Sequence, residues 1–173
     1  MNSEYNLTFG KLPANFIGRD DIVNSIKNDF LSDAPSSLIY FITGVRGSGK
    51  TVLLNKLAQD FSLIDEWTVV KCNPNENILE QIAASIYENE KVKHLFLKPS
   101  FSFSFHGVSF SIDGSIPVTN IRTLLKKMFD YLKEHNKKIL ICIDEVSNNK
   151  EMKSFVHDYQ SFIGDNYNIF YFI

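Results

Sequence analysis

Gly44-Val45-Arg46-Gly47-Ser48-Gly49-Lys50-Thr51 is the stretch that decides the fold of this chain. It is a complete G-x-x-x-x-G-K-[ST] pattern, with Gly44, Gly49, Lys50 and Thr51 at the constrained positions. Its flanks have the character the pattern needs. Residues 37–43 are a short apolar run rich in β-favouring side chains. Residues 51–61 read as an amphipathic helix with Val52, Leu53, Leu54, Leu57, Ala58 and Phe61 as its apolar set. Strand, glycine loop and helix, in that order, make a phosphate-binding loop.

The residue types supply the chemistry. Glycines let the backbone wrap closely around a phosphate with its N–H groups turned inward. The helix that starts near Gly49 adds the positive end of its dipole. The expected phosphate-binding set is Gly44, Val45, Arg46, Gly47, Ser48, Gly49, Lys50, Thr51 and Val52. Lys50 also acts as a catalytic cation that reaches the β- and γ-phosphates, and the Thr51 hydroxyl is placed to ligate Mg²⁺.

Composition sets the frame around this loop. A length of 173 residues implies one domain. With 44% hydrophobic and 22% charged residues the chain is ordinary for a soluble globular protein. A net charge of -2 gives no overall basic field for nucleic acid. Cys72 and Cys142 both fall in apolar, strand-like runs without metal-ligand spacing, and read as buried free thiols of a reducing compartment. No apolar stretch is long enough to span a bilayer, and the N-terminus lacks the pattern of a signal peptide. A cytoplasmic protein without membrane contact is the expectation.

An α/β alternation runs outward from the loop. Before it, Ile22, Val23, Ile26 and Phe30 recur at helical spacing behind Asp20 and Asp21. After it, residues 67–72 read as a second strand, with Trp67 a core residue at its start, and residues 78–87 as a helix with Ile78, Leu79, Ile82, Ala83 and Ile86 on one face. Residues 101–112 break the rhythm. Phenylalanine and serine alternate strictly around His106-Gly107, which predicts an inserted β-hairpin at 100–113 with Phe105 facing Val108, Phe103 facing Phe110 and Phe101 facing Ile112. Its apolar face must pack on the domain or on a partner.

Thr119 or Asn120 caps the next helix, striped by Ile121, Leu124, Leu125, Met128 and Leu132. Residues 139–143 are wholly apolar, as in a buried parallel strand. Asn148 and Glu151 have capping-box spacing before a helix with Met152, Phe155, Val156, Tyr159, Phe162 and Ile163 as its stripe, and Gly164 suits its end. Residues 167–173 read as a fourth core strand. The histidines His94, His106, His135 and His157 are scattered, and none is assigned to catalysis.

Asp144-Glu145 follows the apolar run 139–143 directly. An apolar strand that ends in a carboxylate is the expected partner of a phosphate loop. Asp144 would hold Mg²⁺ through a water. Glu145 would orient and polarise the attacking water as general base.

Together these residues resemble the AAA-type P-loop ATPases, in the branch that places a glutamate beside the strand-end aspartate. The resemblance runs from Phe16 to Ile173, behind an N-terminal arm of residues 1–15. Phe16-Ile17-Gly18-Arg19-Asp20 is similar to the segment that lies near the adenine base in archaeal-type, origin-recognition-type and STAND-type ATPases. That makes Ile17 and Gly18 adenine neighbours. The resemblance implies a three-layer α/β fold with a mostly parallel sheet, ATP and Mg²⁺ as ligands, and ATP hydrolysis in a longer, oligomeric protein.

The family's strand order is 5-1-4-3-2, and the chain supplies candidates for strands 1 to 4. Residues 167–173 correspond to the sensor-1 strand. The strand before the phosphate loop would then lie at a sheet edge, where unpaired backbone promotes association. The chain is therefore expected to be the N-terminal part of an ATPase domain and to self-associate. The second function the resemblance allows is a STAND-like switch, in which nucleotide occupancy gates protein or DNA binding with little turnover. A small-molecule kinase fits less well, because Asp144-Glu145 suits water activation better than acceptor binding. No guanine-reading Asn-Lys-x-Asp occurs, which favours adenine.

Overall fold

The computed structural model describes residues 20–96, 103–105, 108–110, 120–165, 167 and 169–172. The N-terminal arm, Ile17 and Gly18, and the pairing of Phe101 with Ile112 lie outside these residues. In chain order the elements are α1 (Asp20–Leu31), β1 (Ile39–Tyr40), α2 (Lys50–Ser62), β2 (Trp67–Cys72), α3 (Ile78–Glu88), α4 (Lys93–Phe96), β3 (Phe103–Phe105), β4 (Val108–Phe110), α5 (Ile121–Glu134), β5 (Lys138–Ile143), α6 (Lys150–Gly164) and β6 (Ile169–Phe172).

Four strands form one sheet in the order β1-β6-β5-β2, and every pairing in it is parallel. This is the 1-4-3-2 portion of the expected order, with β1 at one edge. The short pair β3-β4 is antiparallel, with Phe103 opposite Phe110 and Phe105 opposite Val108. That is the register the phenylalanine–serine alternation predicts.

The sheet is a middle layer because its side chains alternate between two covered faces. Ile139, Ile141, Ile143, Val70, Ile169 and Tyr171 pack with α3, α5 and α6. Leu140, Cys142, Trp67 and Phe170 pack with α1 and α2. The second face has an aromatic centre. Trp67 lies 4.4 Å from Phe61 and 4.7 Å from Phe170 by ring centroids, and Phe30 lies 4.8 Å from Phe170. Truncating a ring of this kind to alanine costs about 3–5 kcal/mol. The two-sided α/β sandwich agrees with the fold class expected from the motifs.

Local readings needed correction in four places. The strand expected over residues 37–43 is paired only at Ile39 and Tyr40. Among the described residues β1 has β6 as its one neighbour, and the described part of β6 stops at Phe172, opposite Tyr40. Phe129 is buried beside the α5 stripe, whereas Ile22 on α1 is exposed. The residue that caps α6 is Asn149, not Asn148: its side chain accepts from the Met152 N–H at 2.8 Å. On α6 itself Val156 and Ile163 are exposed, and Asp158 is buried at 4% exposure. The sheet takes the Met152–Phe155–Phe162 line, so the apolar residues one step round the helix face outward.

The start of β1 is held by a carboxylate. Asp29, near the end of α1, accepts from the backbone N–H of Ser36 at 2.7 Å and of Ser37 at 3.3 Å, and from the Tyr40 hydroxyl at 2.8 Å. This clamp fixes the chain just before it turns into the glycine loop.

Candidate active site

Parallel strands bring their carboxyl ends to one edge of the sheet, and in open α/β sheets ligands bind in the crevice outside that edge. β1 leads there into the glycine loop, and β5 leads into Asp144-Glu145. One strand, β6, separates them. Two strand spacings put the axes of β1 and β5 about 10 Å apart. That gap is wide enough for a phosphate group and too wide for backbone contact across it.

The loop has the shape the glycines predict. Gly47 and Gly49 sit at φ 80° and 82°, in the left-handed region that suits glycine. At Gly44 the constraint is space. A Cβ there would come within 2.8 Å of the Ser48 Oγ. The Ser48 N–H donates to the Val45 carbonyl at 3.2 Å, closing the turn. The Ser48 Oγ is buried and has no partner.

α2 begins directly behind this turn. Gly49 takes the N-cap position and has no side chain to cap with. The neighbouring helices differ. Asn77, Asn120 and Asn149 each accept from first-turn N–H groups of α3, α5 and α6. The first N–H groups of α2 are thus left without a side-chain acceptor, and such groups favour an anion. Lys50 reaches back over the loop, and its ammonium donates to the carbonyl oxygens of Gly44 at 2.9 Å and Val45 at 3.1 Å. Thr51 and Val52, in the first turn of α2, are partly buried, while Val45, Arg46 and Gly47 are exposed.

These features fit a polyphosphate. There is a glycine cradle too tight for a Cβ at Gly44, an orphaned hydroxyl in its wall, an uncapped helix start and an ammonium held at its rim.

On the β5 side, Asp144 is partly buried and Glu145 is exposed. Glu145 sits at φ 55°, an uncommon conformation for a non-glycine residue that concentrates at functional sites. Its backbone N–H donates to the Asp144 Oδ1 at 3.0 Å, which holds the Asp144 carboxylate against the strand end. Sequence reasoning missed the residue that anchors this loop. The Asn149 side-chain amide donates to the Pro74 carbonyl at 2.8 Å, to the Asn75 Oδ1 at 3.2 Å and to the Ser147 Oγ at 3.0 Å. The loop after β5 is thereby tied to the turn after β2. That turn is braced in its own right by Gln81, which accepts from the Asn73 N–H and donates to the Asn73 carbonyl. Asn149 stands one residue after Asn148, the cap named from the capping-box spacing, and its partners 74 and 75 positions away lie beyond any local pattern.

A family model of ATPase domains predominantly from Archaea matches residues 16–169. The chain belongs to this family. The match takes in the glycine loop, Asp144-Glu145 and β1, β2 and β5 in full, and it reaches the first residue of β6. No curated protein and no solved structure matches the chain. An ATPase domain binds nucleotide, and the glycine loop is where this one offers backbone N–H groups and a cation. No helix among the described residues is long and apolar enough to cross a membrane.

Proposed function

We propose that this ATPase domain binds Mg²⁺-ATP at the Gly44–Thr51 loop and hydrolyses the terminal phosphate with Glu145 as general base. The observation that carries the reading is the uncapped start of α2 behind a glycine cradle, with the Lys50 ammonium poised on the loop's own carbonyls. The N–H groups of the loop and first turn bind phosphate oxygens. Lys50 exchanges the Gly44 and Val45 carbonyls for phosphate oxygens and neutralises charge there.

Thr51 and Asp144 are the residues that would hold Mg²⁺, the first directly and the second through water. The ion, when bound, draws negative charge from the phosphate oxygens. Glu145 accepts a proton from the attacking water, and its backbone N–H holds the neighbouring Asp144 carboxylate at the carboxyl edge of β5. Ile17 and Gly18 are the adenine neighbours in this account. The testing experiment is ATP turnover by the wild type and by Glu145→Gln, each with nucleotide affinity measured in parallel. Loss of turnover with affinity kept supports the assignment. Equal turnover refutes it.

Assembly belongs to the same proposal. Among the described residues β1 is an edge strand, with half-buried Ile39 and Tyr40 and a strongly exposed Phe41 beside it. An edge of this kind accepts a further strand, from a longer chain or a second copy. Self-association by light scattering is the expected result, and a concentration-independent monomer would count against it.

The STAND-like switch is the second reading, and the Lys50 contacts favour it. Nucleotide displaces the ammonium from two carbonyls, so occupancy changes the contacts that Lys50 makes across the loop. A switch would show slow turnover with a large difference in conformation between the free and ATP-bound states.

A further inference from the structure

A cavity of about 290 Å³ opens at the carboxyl edge of the sheet, on the side covered by α3, α5 and α6 and apart from the glycine loop. It is lined by the N-caps Asn77 and Asn120, by Glu151 and Phe155 on α6, and by Arg122 and Asp158. Asp158 is the only charged residue among the described ones that is fully buried, at 4% exposure. Its Oδ1 pairs with the Arg122 Nε at 2.5 Å. Its Oδ2 is buried and has no hydrogen-bond partner. A buried carboxylate oxygen without a donor is costly, so its retention points to a donor that arrives from outside.

The character of that donor follows from what surrounds it. Two helix N-termini would ordinarily invite an anion. Here both are already engaged: Asn77 accepts from the Glu80 N–H, and Asn120 accepts from the Arg122 and Thr123 N–H groups. The unpaired atom is an acceptor, which repels an anion. A second cavity shares Asn77 and Glu151 with the first and adds Glu76 and Glu80 to its walls. Across the two, four carboxylates stand against the single guanidinium of Arg122. Depth selects shape. Only a slender group reaches an oxygen buried beside Phe155.

We propose that this cavity is a second ligand site, which takes a small molecule carrying a guanidinium or primary ammonium group. A turn of the Asp158 carboxylate brings its Oδ2 to the cavity, where it accepts from the cationic N–H, and Glu151 balances the charge of Arg122 at the mouth. The aliphatic part of the ligand lies against Ile121 and Phe155.

The test is titration of the full chain with n-butylguanidinium and with its neutral isostere n-butylurea, followed by calorimetry and by the carboxyl resonance of Asp158. The cation is expected to bind saturably with a Kd of about 1 mM or tighter. It should shift the Asp158 signal, and butylurea should bind about tenfold more weakly. Asp158→Asn keeps the volume and the acceptor for Arg122 but puts a donor or neutral amide where the charge stood, and should lose binding by about tenfold or more. Ser154→Phe, an exposed position at the cavity wall, should block binding without touching the buried pair. Lys50→Ala should leave it unchanged. A cavity filled by water alone gives no saturable binding and no movement of the Asp158 resonance, and overturns the proposal. Equal binding by wild type, Asp158→Asn and Ser154→Phe overturns it as well.

Discussion

The side-chain amide of Asn149 donates to the carbonyl oxygen of Pro74 at 2.8 Å, joining residues 75 positions apart in the chain. The same side chain caps α6 through the Met152 N–H. One residue thus closes the loop that carries Asp144 and Glu145 and locks it to the turn after β2. Asn149→Asp separates these roles. The aspartate still caps α6, and a charged cap suits a helix start. It cannot donate to Pro74 or Asn75. Thermal stability should change little, nucleotide affinity should persist, and ATP turnover should fall several-fold. Unchanged turnover would show that the tie does not position Glu145.

Glu145→Gln should retain ATP binding and lose most hydrolysis, because the amide cannot accept the proton of the attacking water. General-base catalysis contributes about 10²–10⁴-fold, and the loss should lie in that range. A variant that hydrolyses as fast as the wild type would move the base elsewhere.

Asp29 makes stability depend on pH. The Ser36 N–H, followed in effect by burial acting in the opposite direction and then by the Tyr40 hydroxyl, holds its carboxyl below the ordinary aspartate range. A depressed folded value means that the stabilisation is fully present above the unfolded value of about 3.9. It disappears as pH falls through the folded value. Asp29→Asn should therefore lower the melting temperature at pH 7, and the gap to the wild type should close in acid. A constant gap across that range would indicate a packing effect instead of the clamp.

Burial pushes the Cys72 and Cys142 thiols up to about 12. Both should stay protonated and resist alkylation by iodoacetamide at pH 8 in the folded chain, then react fully in denaturant. Rapid native labelling of either would place it nearer the surface than the sheet allows.

Much of this architecture was legible because each strand carries its own pattern. The run 139–143 is apolar at every position because both faces of β5 are covered, and the alternation around His106-Gly107 set the β3-β4 register. The chemistry-bearing residues of the candidate site, Lys50, Thr51, Asp144 and Glu145, were readable for a similar reason. The loop and the strand end are local motifs. What escaped depends on contacts between distant segments. Asp158 interrupts an apolar stripe, and only its meeting with Arg122 on α5 makes burial tolerable. Val156 and Ile163 have the right spacing for a core face, but the sheet selects the line one step away. The resting contact of Lys50 with the Gly44 carbonyl is likewise a property of the folded loop.

The central claim is that the Gly44–Thr51 loop binds the phosphates of a nucleotide through Lys50. Its most direct test is equilibrium binding of ATP with Mg²⁺ to the wild-type chain and to Lys50→Ala. Removing one charge-assisted contact to phosphate should weaken affinity about tenfold or more. Equal affinity of the two chains would contradict the account.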